Sequence, residues 1–398
     1  MREMKDSGIR WIGKIPTRWT IAKAKNCVEI QNGSDPKTEG SIPVYGSGSM
    51  SFKTCGEYKE GPSVLIGRKG ATLHIPHYIS SKFWNVDTAF NVYSKSIFDL
   101  KYYFYCAHVF DYTLYMSQTT LPSMTQTAYE NMFLPLPTKE EQYAIANQLD
   151  QICSKIDAVL EKTRASIEEY KKLKQAVITQ AVTKGIRGDR PMKDSGSVWF
   201  EEIPCNWVMK RIKYLFHIKK DIAGKEGYTV LSITQRGIQP KDLSKNEGQI
   251  AANYSQYQLL APGDFAMNHM DLLTGWVDIS KYSGVTSPDY RVFVLDDTEK
   301  NDSSYYLYLM QMCYFNRIFY GLGQGVSGMG RWRLQADKFM NFPVVVPPVD
   351  EQKEIVSYLN EKCKQLDTLI RNKQQYLTAI ENYKNSLIYE YVTGKREV

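Results

Sequence analysis

The sequence predicts an α+β protein in which two α/β-type globular domains are separated by two long helices that form an antiparallel coiled coil. Two observations carry this prediction. Two stretches of more than forty residues contain no Gly or Pro and have apolar residues at heptad spacing. Short motifs also recur along the chain at a constant offset. We therefore expect a pseudo-two-fold internal repeat within the 398 residues.

The first long helix is expected over residues 140–184. The residues Ile145, Leu149, Ile152, Ile156 and Val159 follow one another at alternating steps of four and three. Such spacing is the a/d seam of a helix that packs against another long helix. A helix of this length extends about 60 Å, which is more than a small globular domain needs.

The second long helix is expected within residues 350–398, ahead of a short C-terminal tail. Its seam residues correspond to those of the first helix at an offset of 210: Ile355, Leu359, Leu366 and Leu369. The exception is Lys362, which stands where the first helix has Ile152. A lysine at the edge of the seam can keep its charge in water.

Each long helix is preceded by a globular domain that opens with the same cassette. Met4-Lys5-Asp6-Ser7-Gly8 recurs at 192–196, and the following Trp, Ile-Pro and Trp motifs also recur at an offset of 188. The domains are therefore predicted at 1–139 and at 185–349, the second including a linker over 185–191. Because this linker is short, a second helix that pairs with the first must run back along it, which makes the pair antiparallel.

The bodies of the two domains, residues 31–135 and 219–345, share few residues. Apolar runs such as 63–67 and 89–93 in the first body, and 264–267 and 290–295 in the second, lie close to turn residues and predict short strands. The segments 100–115 and 304–320 are aromatic-rich and predict helices. Each body ends in a proline-containing run, which marks the step into the long helix.

Composition favours an anionic partner without proving one. The formal net charge is +7, the pI is about 8.8 and aromatic residues make up 13% of the chain. No apolar run is long enough for a membrane span and the N-terminus is charged, so we expect a cytoplasmic protein without a membrane partner. The seven cysteines are scattered and form no CxxC pair, so reduced thiols are expected and no metal site.

Candidate nucleic-acid contacts lie in polar or basic loops of both bodies. Glycines flank Arg68 and Lys69 and allow close backbone approach, while cations can meet phosphate or guanine. A solvated turn is the alternative. The polar stretch before the first proline run contributes Ser117, Gln118, Thr119, Thr120, Ser123, Thr125 and Gln126. The matching places in the second body contribute Asn268, His269, Gln324, Ser327, Arg331 and Arg333.

The duplicated motifs resemble those of the specificity subunit of Type I DNA restriction–modification enzymes. The carriers are the Met-Lys-Asp-Ser-Gly cassette with its Trp, Ile-Pro and Trp, and the proline run followed by Glu-Gln and a helix that ends in Val-Thr with a Gly one or two residues later. The resemblance implies two target-recognition domains, each reading one half of a split, asymmetric sequence in double-stranded DNA. It implies that the coiled coil sets the unread spacer between the halves.

The same resemblance implies partners that carry the chemistry. It implies that this chain is not catalytic and holds no cofactor. It further implies that the chain recruits two adenine-N6 methyltransferase subunits and, through them, restriction/translocase subunits. S-adenosylmethionine, ATP and Mg²⁺ are expected on those partners.

Two alternatives remain open at the level of sequence. The chain could be a scaffold whose two heads bind proteins, which the paired helices alone would permit. It could also be a DNA-binding protein that acts without partners. Neither a methyltransferase motif nor a GxxxxGK[ST] phosphate loop occurs in the sequence, and the GxGxxG match at 323–328 lacks the βαβ context of a dinucleotide site.

Overall fold

The chain folds into two units, each with its own globular body and a part of each long helix. A computed structural model describes residues 2–117, 122–245, 251, 253–325 and 332–398. Unit 1 comprises Met1–Ala165 and Lys373–Val398, whereas unit 2 comprises Ser166–Asn372.

The body of unit 1 is built from short strands around an antiparallel sheet. Its strands are β1 Met4–Asp6, β2 Lys14–Pro16, β3 Thr20–Lys23, β4 Val28–Asn32, β5 Ile42–Tyr45, β6 Lys53–Cys55, β7 Ser63–Gly67, β8 His77–Ile79, β9 Trp84–Asn85, β10 Ala89–Ser94 and β11 Phe133–Leu136. Its helices are α1 Ala24–Cys27, α2 Leu100–His108, α3 Gln126–Asn131 and the long α4 Lys139–Lys184, which continues into unit 2. A 3₁₀ turn covers Tyr112–Leu114. The main sheet has the order β4-β10-β7-β8, β5 lies between β6 and β9, and β1 pairs with β2 and β3 with β11.

The strands predicted at 63–67 and 89–93 are present as β7 and β10, in the middle of the main sheet. Every residue of β7 is buried, as expected for a strand that is covered on both faces. Helix α2 begins after Asp99, whose carboxylate accepts a hydrogen bond from the backbone N–H of Tyr102 and so caps the helix.

The body of unit 2 repeats this plan with additional strands. Its strands are β12 Met192–Asp194, β13 Glu202–Pro204, β14 Val208–Arg211, β15 Phe216–Lys219, β16 Leu231–Thr234, β17 Gly237–Pro240, β18 Gln258–Leu260, β19 Phe265–Met267, β20 Val277–Ile279, β21 Gly284–Thr286, β22 Arg291–Leu295, β23 Gln324–Gly325, β24 Trp332–Arg333 and β25 Pro343–Val346. Its helices are α5 Ser303–Phe315, α6 Ile318–Leu322, α7 Ala336–Met340 and the long α8 Val349–Val392, which continues into unit 1. Further 3₁₀ turns cover Ile212–Tyr214 and Leu243–Lys245. The main sheet has the order β15-β22-β19-β20, which matches β4-β10-β7-β8 of unit 1 strand for strand.

Parts of the two long helices pack together in each unit. In unit 1 the N-terminal part of α4 meets the C-terminal part of α8, and Lys384 Nζ lies 2.6 Å from an oxygen of Asp157. In unit 2 the C-terminal part of α4 meets the N-terminal part of α8, and Lys174 Nζ lies 2.7 Å from an oxygen of Asp367. The two ion pairs are related by the offset of 210. This pairing confirms the antiparallel arrangement of the helices.

The seam of the long helices follows a different line from the predicted one. In α4 the line continues from Leu149 through positions 153, 156, 160, 163 and 167, and in α8 from Leu359 through 363, 366, 370, 373 and 377; all of these positions are buried or partly buried. Val159 and Leu369 are instead 40% and 43% exposed and lie outside it. The reason is a second step of four residues directly after Leu149 and Leu359. Such an interruption of the heptad repeat, called a stutter, therefore lies before the midpoint of each helix.

The remaining predicted seam residues lie on or beside this line. Ile145, Leu149, Ile355, Leu359 and Leu366 are buried. Ile152 and Ile156 are partly buried and pack against the core of unit 1. The heptad pattern therefore predicted the contacting face of each helix but placed the third and fifth seam positions one residue too early.

The start of each long helix is tied to its body by the same hydrogen bonds. The side-chain amide of Gln142 donates to the Pro137 carbonyl at 3.0 Å and accepts from the Asp99 N–H at 2.7 Å. Gln352 makes the matching pair of bonds to Pro347 and Asp302, at 2.9 and 2.8 Å. Because backbone groups at such a junction would otherwise be buried without partners, the Glu-Gln motif has a structural explanation.

A buried tyrosine of each body is bonded to the end of a long helix. Tyr102 Oη donates to the Val392 carbonyl at 2.8 Å in unit 1, and Tyr305 Oη donates to the Val182 carbonyl at 2.9 Å in unit 2. Shortly beyond each of these carbonyls, Gly394 and Gly185 have φ values of +70° and +79°. Glycine is favoured there because the left-handed conformation ends a helix without a Cβ penalty.

Candidate nucleic-acid interface

The end of β7 carries the basic turn of unit 1. The backbone N–H groups of Arg68 and Lys69 both donate to the Thr88 carbonyl, at 2.8 and 3.3 Å. A side chain at Gly67 would collide with the backbone of Leu73. The turn is therefore held tightly against the sheet, while the two basic residues remain partly exposed.

The polar stretch before α3 packs against this basic turn. The N–H of Met124 donates to the Arg68 carbonyl at 2.9 Å, and Ser123 bridges to Lys69. Ser117 and Ser123 are joined by a backbone hydrogen bond, and their hydroxyl oxygens lie 2.7 Å apart. The fold thus brings together two pairs of predicted contact residues, Arg68 with Lys69 and Ser117 with Ser123, although the pairs lie more than forty positions apart in sequence.

Thr125 and Gln126 have contacts within the fold itself. The Thr125 hydroxyl accepts from the Ala128 N–H at 3.1 Å and caps α3. The Gln126 amide donates to the Ile30 carbonyl at 3.0 Å and to Glu130 at 2.8 Å. Both side chains therefore have a structural role in holding α3 against the sheet.

Five of the predicted contact residues fall outside the part of the chain that the structure describes. They are Gln118, Thr119, Thr120, Ser327 and Arg331. Their contact with nucleic acid stays a prediction.

The end of β19 is the corresponding place in unit 2. The N–H of Leu334 donates to the His269 carbonyl at 3.0 Å, as the polar stretch of unit 1 does to Arg68. The strand registers agree, since β19 pairs with β22 as β7 pairs with β10. His269 therefore stands where unit 1 has Arg68, and Arg333 stands where unit 1 has Ser123.

Asn268 and Gln324 both lie next to this strand end, but the side chain of Asn268 is bonded within a turn and that of Gln324 is exposed. The Asn268 carboxamide oxygen accepts from the Met270 N–H at 3.2 Å, and its backbone N–H donates to the Trp276 carbonyl at 2.9 Å. These bonds order the turn after β19. Gln324 is exposed and pairs with Arg333 across the β23–β24 ribbon, so its side chain is accessible beside that arginine.

A cleft of about 370 Å³ opens at this end of the unit 2 sheet, and we call it the strand-end cleft. Its polar lining is formed by Lys220, Gln258, His269, Tyr290, Arg291, Arg333 and Gln335. The Arg291 guanidinium is buried, donates to the Leu334 carbonyl at 2.9 Å and lies 4.9 Å from the centre of the Phe339 ring. Arg291 therefore fixes the backbone next to Arg333.

The strand-end cleft is strongly cationic. Burial and the nearby Arg291 and Arg333 lower the pKa of His269 to about 3, so its imidazole is neutral at neutral pH. Burial likewise lowers the pKa of Arg291 to about 10, which leaves the guanidinium charged at neutral pH. Buried nitrogens without a hydrogen-bond partner occur in all three residues: His269 Nδ1, Arg291 Nη1 and Arg333 Nε.

Arg291 was not predicted from the sequence as a functional residue. It begins the run Arg-Val-Phe-Val-Leu, whose four apolar residues indicate a buried strand. The pattern does not indicate that the arginine is buried as well. The available signal was the charge itself, since a buried arginine is rare unless it is paired. The register of unit 1 places Phe90 at the corresponding position.

Within the described ranges, no three His, Cys, Asp or Glu side chains are grouped so that they could hold a metal ion. In the same ranges, none of the helices combines the length and apolar character that crossing a membrane requires.

Comparison with known proteins gives matches to both halves of the chain. A family model described as "Type I restriction modification DNA specificity domain" matches residues 16–169 and again 204–382. The Type I restriction enzyme MjaVIII specificity subunit of Methanocaldococcus jannaschii is 23% identical over 299 residues, which are 70% of this chain and 66% of that protein. This chain thus spans just under two thirds of that relative's length.

Two solved structures are similar over nearly the whole chain. One comes from work on the "complex assembly and conformational transition of the type I R-M system"; it has a TM-score of 0.67 at 12% identity and covers 96% of this chain and 99% of its own. It shows that the two proteins share a fold. The other is the HsdS subunit from Thermoanaerobacter tengcongensis, with a TM-score of 0.46 at 12% identity, covering 96% of this chain and 98% of its own.

Proposed function

This chain belongs to the family of Type I restriction–modification DNA specificity domains, and we propose that it selects the DNA sequence on which a methyltransferase complex acts. In this proposal each unit reads one half of an asymmetric, bipartite target in double-stranded DNA. The chain itself performs no catalysis.

The observation that supports the proposal is a repeated framework, made of the main sheet and the long helices, whose two units carry different residues at the strand ends. We call this framework the frame. The sheet order, the Gln142 and Gln352 bonds and the helix ion pairs are the same in both units. The residues at the corresponding strand ends are instead Arg68 in one unit and His269 in the other. A symmetric frame with unlike readers suits an asymmetric target, because side chains at base edges decide which sequence is bound.

The long helices would set the spacing between the two half-sites. The 46 residues of α4 correspond to a length of about 69 Å. Half-sites read from one face of B-DNA lie about 34 Å apart, or a multiple of that distance. A fixed helix length would therefore leave a spacer of constant length whose bases are not read.

The proposed partners supply the chemistry. Two adenine-N6 methyltransferase subunits would bind this chain and carry S-adenosylmethionine, and restriction/translocase subunits would add ATP and Mg²⁺. The relative from Methanocaldococcus jannaschii is named a specificity subunit of a restriction enzyme, which supports this assignment.

The test is to co-express the chain with its methyltransferase subunit and to map N6-methyladenine across a bacterial genome. We expect one motif made of two half-sites with an unread spacer of constant length, and no such motif when the methyltransferase is expressed alone. The absence of a motif, with both proteins folded and associated, would overturn the proposal and favour a protein-binding scaffold.

A further inference from the structure

The strand-end cleft of unit 2 contains positive charge that no negatively charged side chain in the cleft balances. Lys220, Arg291 and Arg333 line it, and among the described residues no carboxylate does so. Asp337 is the carboxylate that acts on the pKa of Arg291, but it is exposed and forms no ion pair with that arginine. A buried cation without a counter-charge is costly in free energy, because it has lost its hydration without gaining an opposite charge.

The buried groups are also short of acceptors. Arg291 is 5% exposed and uses one terminal nitrogen on the Leu334 carbonyl, while its Nη1 has no partner. Arg333 Nε likewise has no partner, and His269, 6% exposed, has no partner for Nδ1. Buried polar atoms are normally satisfied, so this cluster indicates a site that is completed by a ligand rich in oxygen acceptors.

We propose that the strand-end cleft binds one phosphodiester oxyanion of the DNA backbone, next to the bases that unit 2 reads. Arg333 and Lys220 contact the phosphate, since both are accessible from the cleft. Arg291 lies beneath them, holds the Leu334 carbonyl and so positions Arg333. This inference rests on the proposed function, because it assigns a DNA group to the same face.

A phosphate fits these observations better than a base edge. Arginine also pairs with guanine, but guanine is neutral and would leave the buried positive charge uncompensated. A phosphodiester supplies a full negative charge, and arginine forms its strongest hydrogen bonds with such oxyanions.

The site belongs to unit 2 and is not repeated in unit 1. At the positions of Arg291 and Arg333, unit 1 has Phe90 and Ser123. Its own cation, Arg68, comes from the position of His269 and lies 5.8 Å from the Phe90 ring centre. The two units would therefore hold the backbone differently at the same strand end.

The experiment measures the binding of the motif-containing duplex by the full chain in complex with its methyltransferase subunit. The variants are Arg333→Gln and Lys220→Gln, and the matched control is Lys281→Gln, which removes the same charge from an exposed turn outside the cleft. Arg333→Gln is expected to weaken binding about tenfold for every DNA sequence. It should also make the dependence of log K on log salt shallower by about one, with the methylated motif unchanged. Thermal unfolding of each variant checks that it is folded.

A second arm identifies the phosphate itself. Each backbone phosphate near the half-site read by unit 2 is replaced in turn by a neutral methylphosphonate. One replacement should weaken the wild-type complex about tenfold and leave the Arg333→Gln complex almost unaffected. An unchanged affinity and salt dependence in Arg333→Gln would overturn the inference, as would a change of the recognised half-site, which would indicate a base contact instead. Failure of the proposed function is distinct, because the wild-type complex would then show no motif at all.

Discussion

The ends of the long helices and the ends of the central strands differ in how strictly the two units repeat each other. At the helix ends, Gln142 and Gln352 make the same two hydrogen bonds, and Tyr102 and Tyr305 bond to matching carbonyls. At the strand ends, a partly exposed arginine in unit 1 corresponds to a buried histidine in unit 2.

This contrast separates two kinds of residue. Those at the helix ends stabilise the fold of both units, whereas those at the strand ends differ between the units. Contacts that join a body to the long helices satisfy buried backbone groups, so a change there costs folding free energy. The carbonyls of Arg68 and His269 accept a matching backbone hydrogen bond, from Met124 and Leu334, but the two side chains differ in charge and burial. They can therefore differ between the units without disturbing the frame.

The largest expected effect comes from the seam of the long helices. Leu149→Ala and the matching Leu359→Ala should each lower the free energy of unfolding by about 3 kcal/mol, because both leucines are fully buried. Equal losses of unfolding free energy in the two variants, measured by chemical denaturation, would support the equivalence of the helix packing in the two units. The controls are Val159→Ala and Leu369→Ala, which should each cost less than about 1 kcal/mol because these residues are exposed. A cost for Leu369→Ala equal to that of Leu359→Ala would contradict the seam described above.

An effect of similar size, but in one unit only, is expected where the repeated helix-start contacts differ in burial. Glu351 is buried and accepts hydrogen bonds from Trp207, at 2.9 Å, and from Arg190. The matching Glu141 is more exposed; it accepts hydrogen bonds from Trp19, at 3.2 Å, and from Arg18, and lies 3.5 Å from Arg2. Arg190→Ala should cost about 3 kcal/mol, since it leaves a buried carboxylate without its cation. Arg2→Ala should cost about 1 kcal/mol or less. Equal losses in the two variants would show that the difference in burial has no energetic consequence.

The same pair predicts a pH dependence. Burial alone would raise the pKa of Glu351, but the hydrogen bonds from Trp207 and Arg190 outweigh it and lower that pKa. A lowered pKa stabilises the folded state above the ordinary glutamate range, and this contribution is lost as the pH falls through the folded-state pKa. The acid-unfolding midpoint of Arg190→Ala should therefore lie at higher pH than that of the wild type.

The internal repeat is the feature for which the prediction from sequence agrees best with the structure. Heptad spacing and two constant offsets predicted the long helices and their antiparallel pairing. A rough alignment of the two bodies predicted the correspondence of Asn268 and His269 with the Arg68 turn. Sequence missed the second step of four residues in the seam, since Ile152 and Val159 fit a regular heptad as well as Cys153 and Leu160 do. It also missed Arg291, because the burial of a charged side chain depends on which strand covers it.

The central claim is that each body determines one half of the DNA target while the frame sets the spacer. Exchanging one body tests this claim most directly. Residues 31–135 are replaced by the corresponding body of another member of the family, and N6-methyladenine is mapped after co-expression with the methyltransferase subunit. One half of the motif should change, whereas the other half and the spacer length should stay the same. A change in both halves would contradict the account, because it would mean that neither unit reads its half-site by itself.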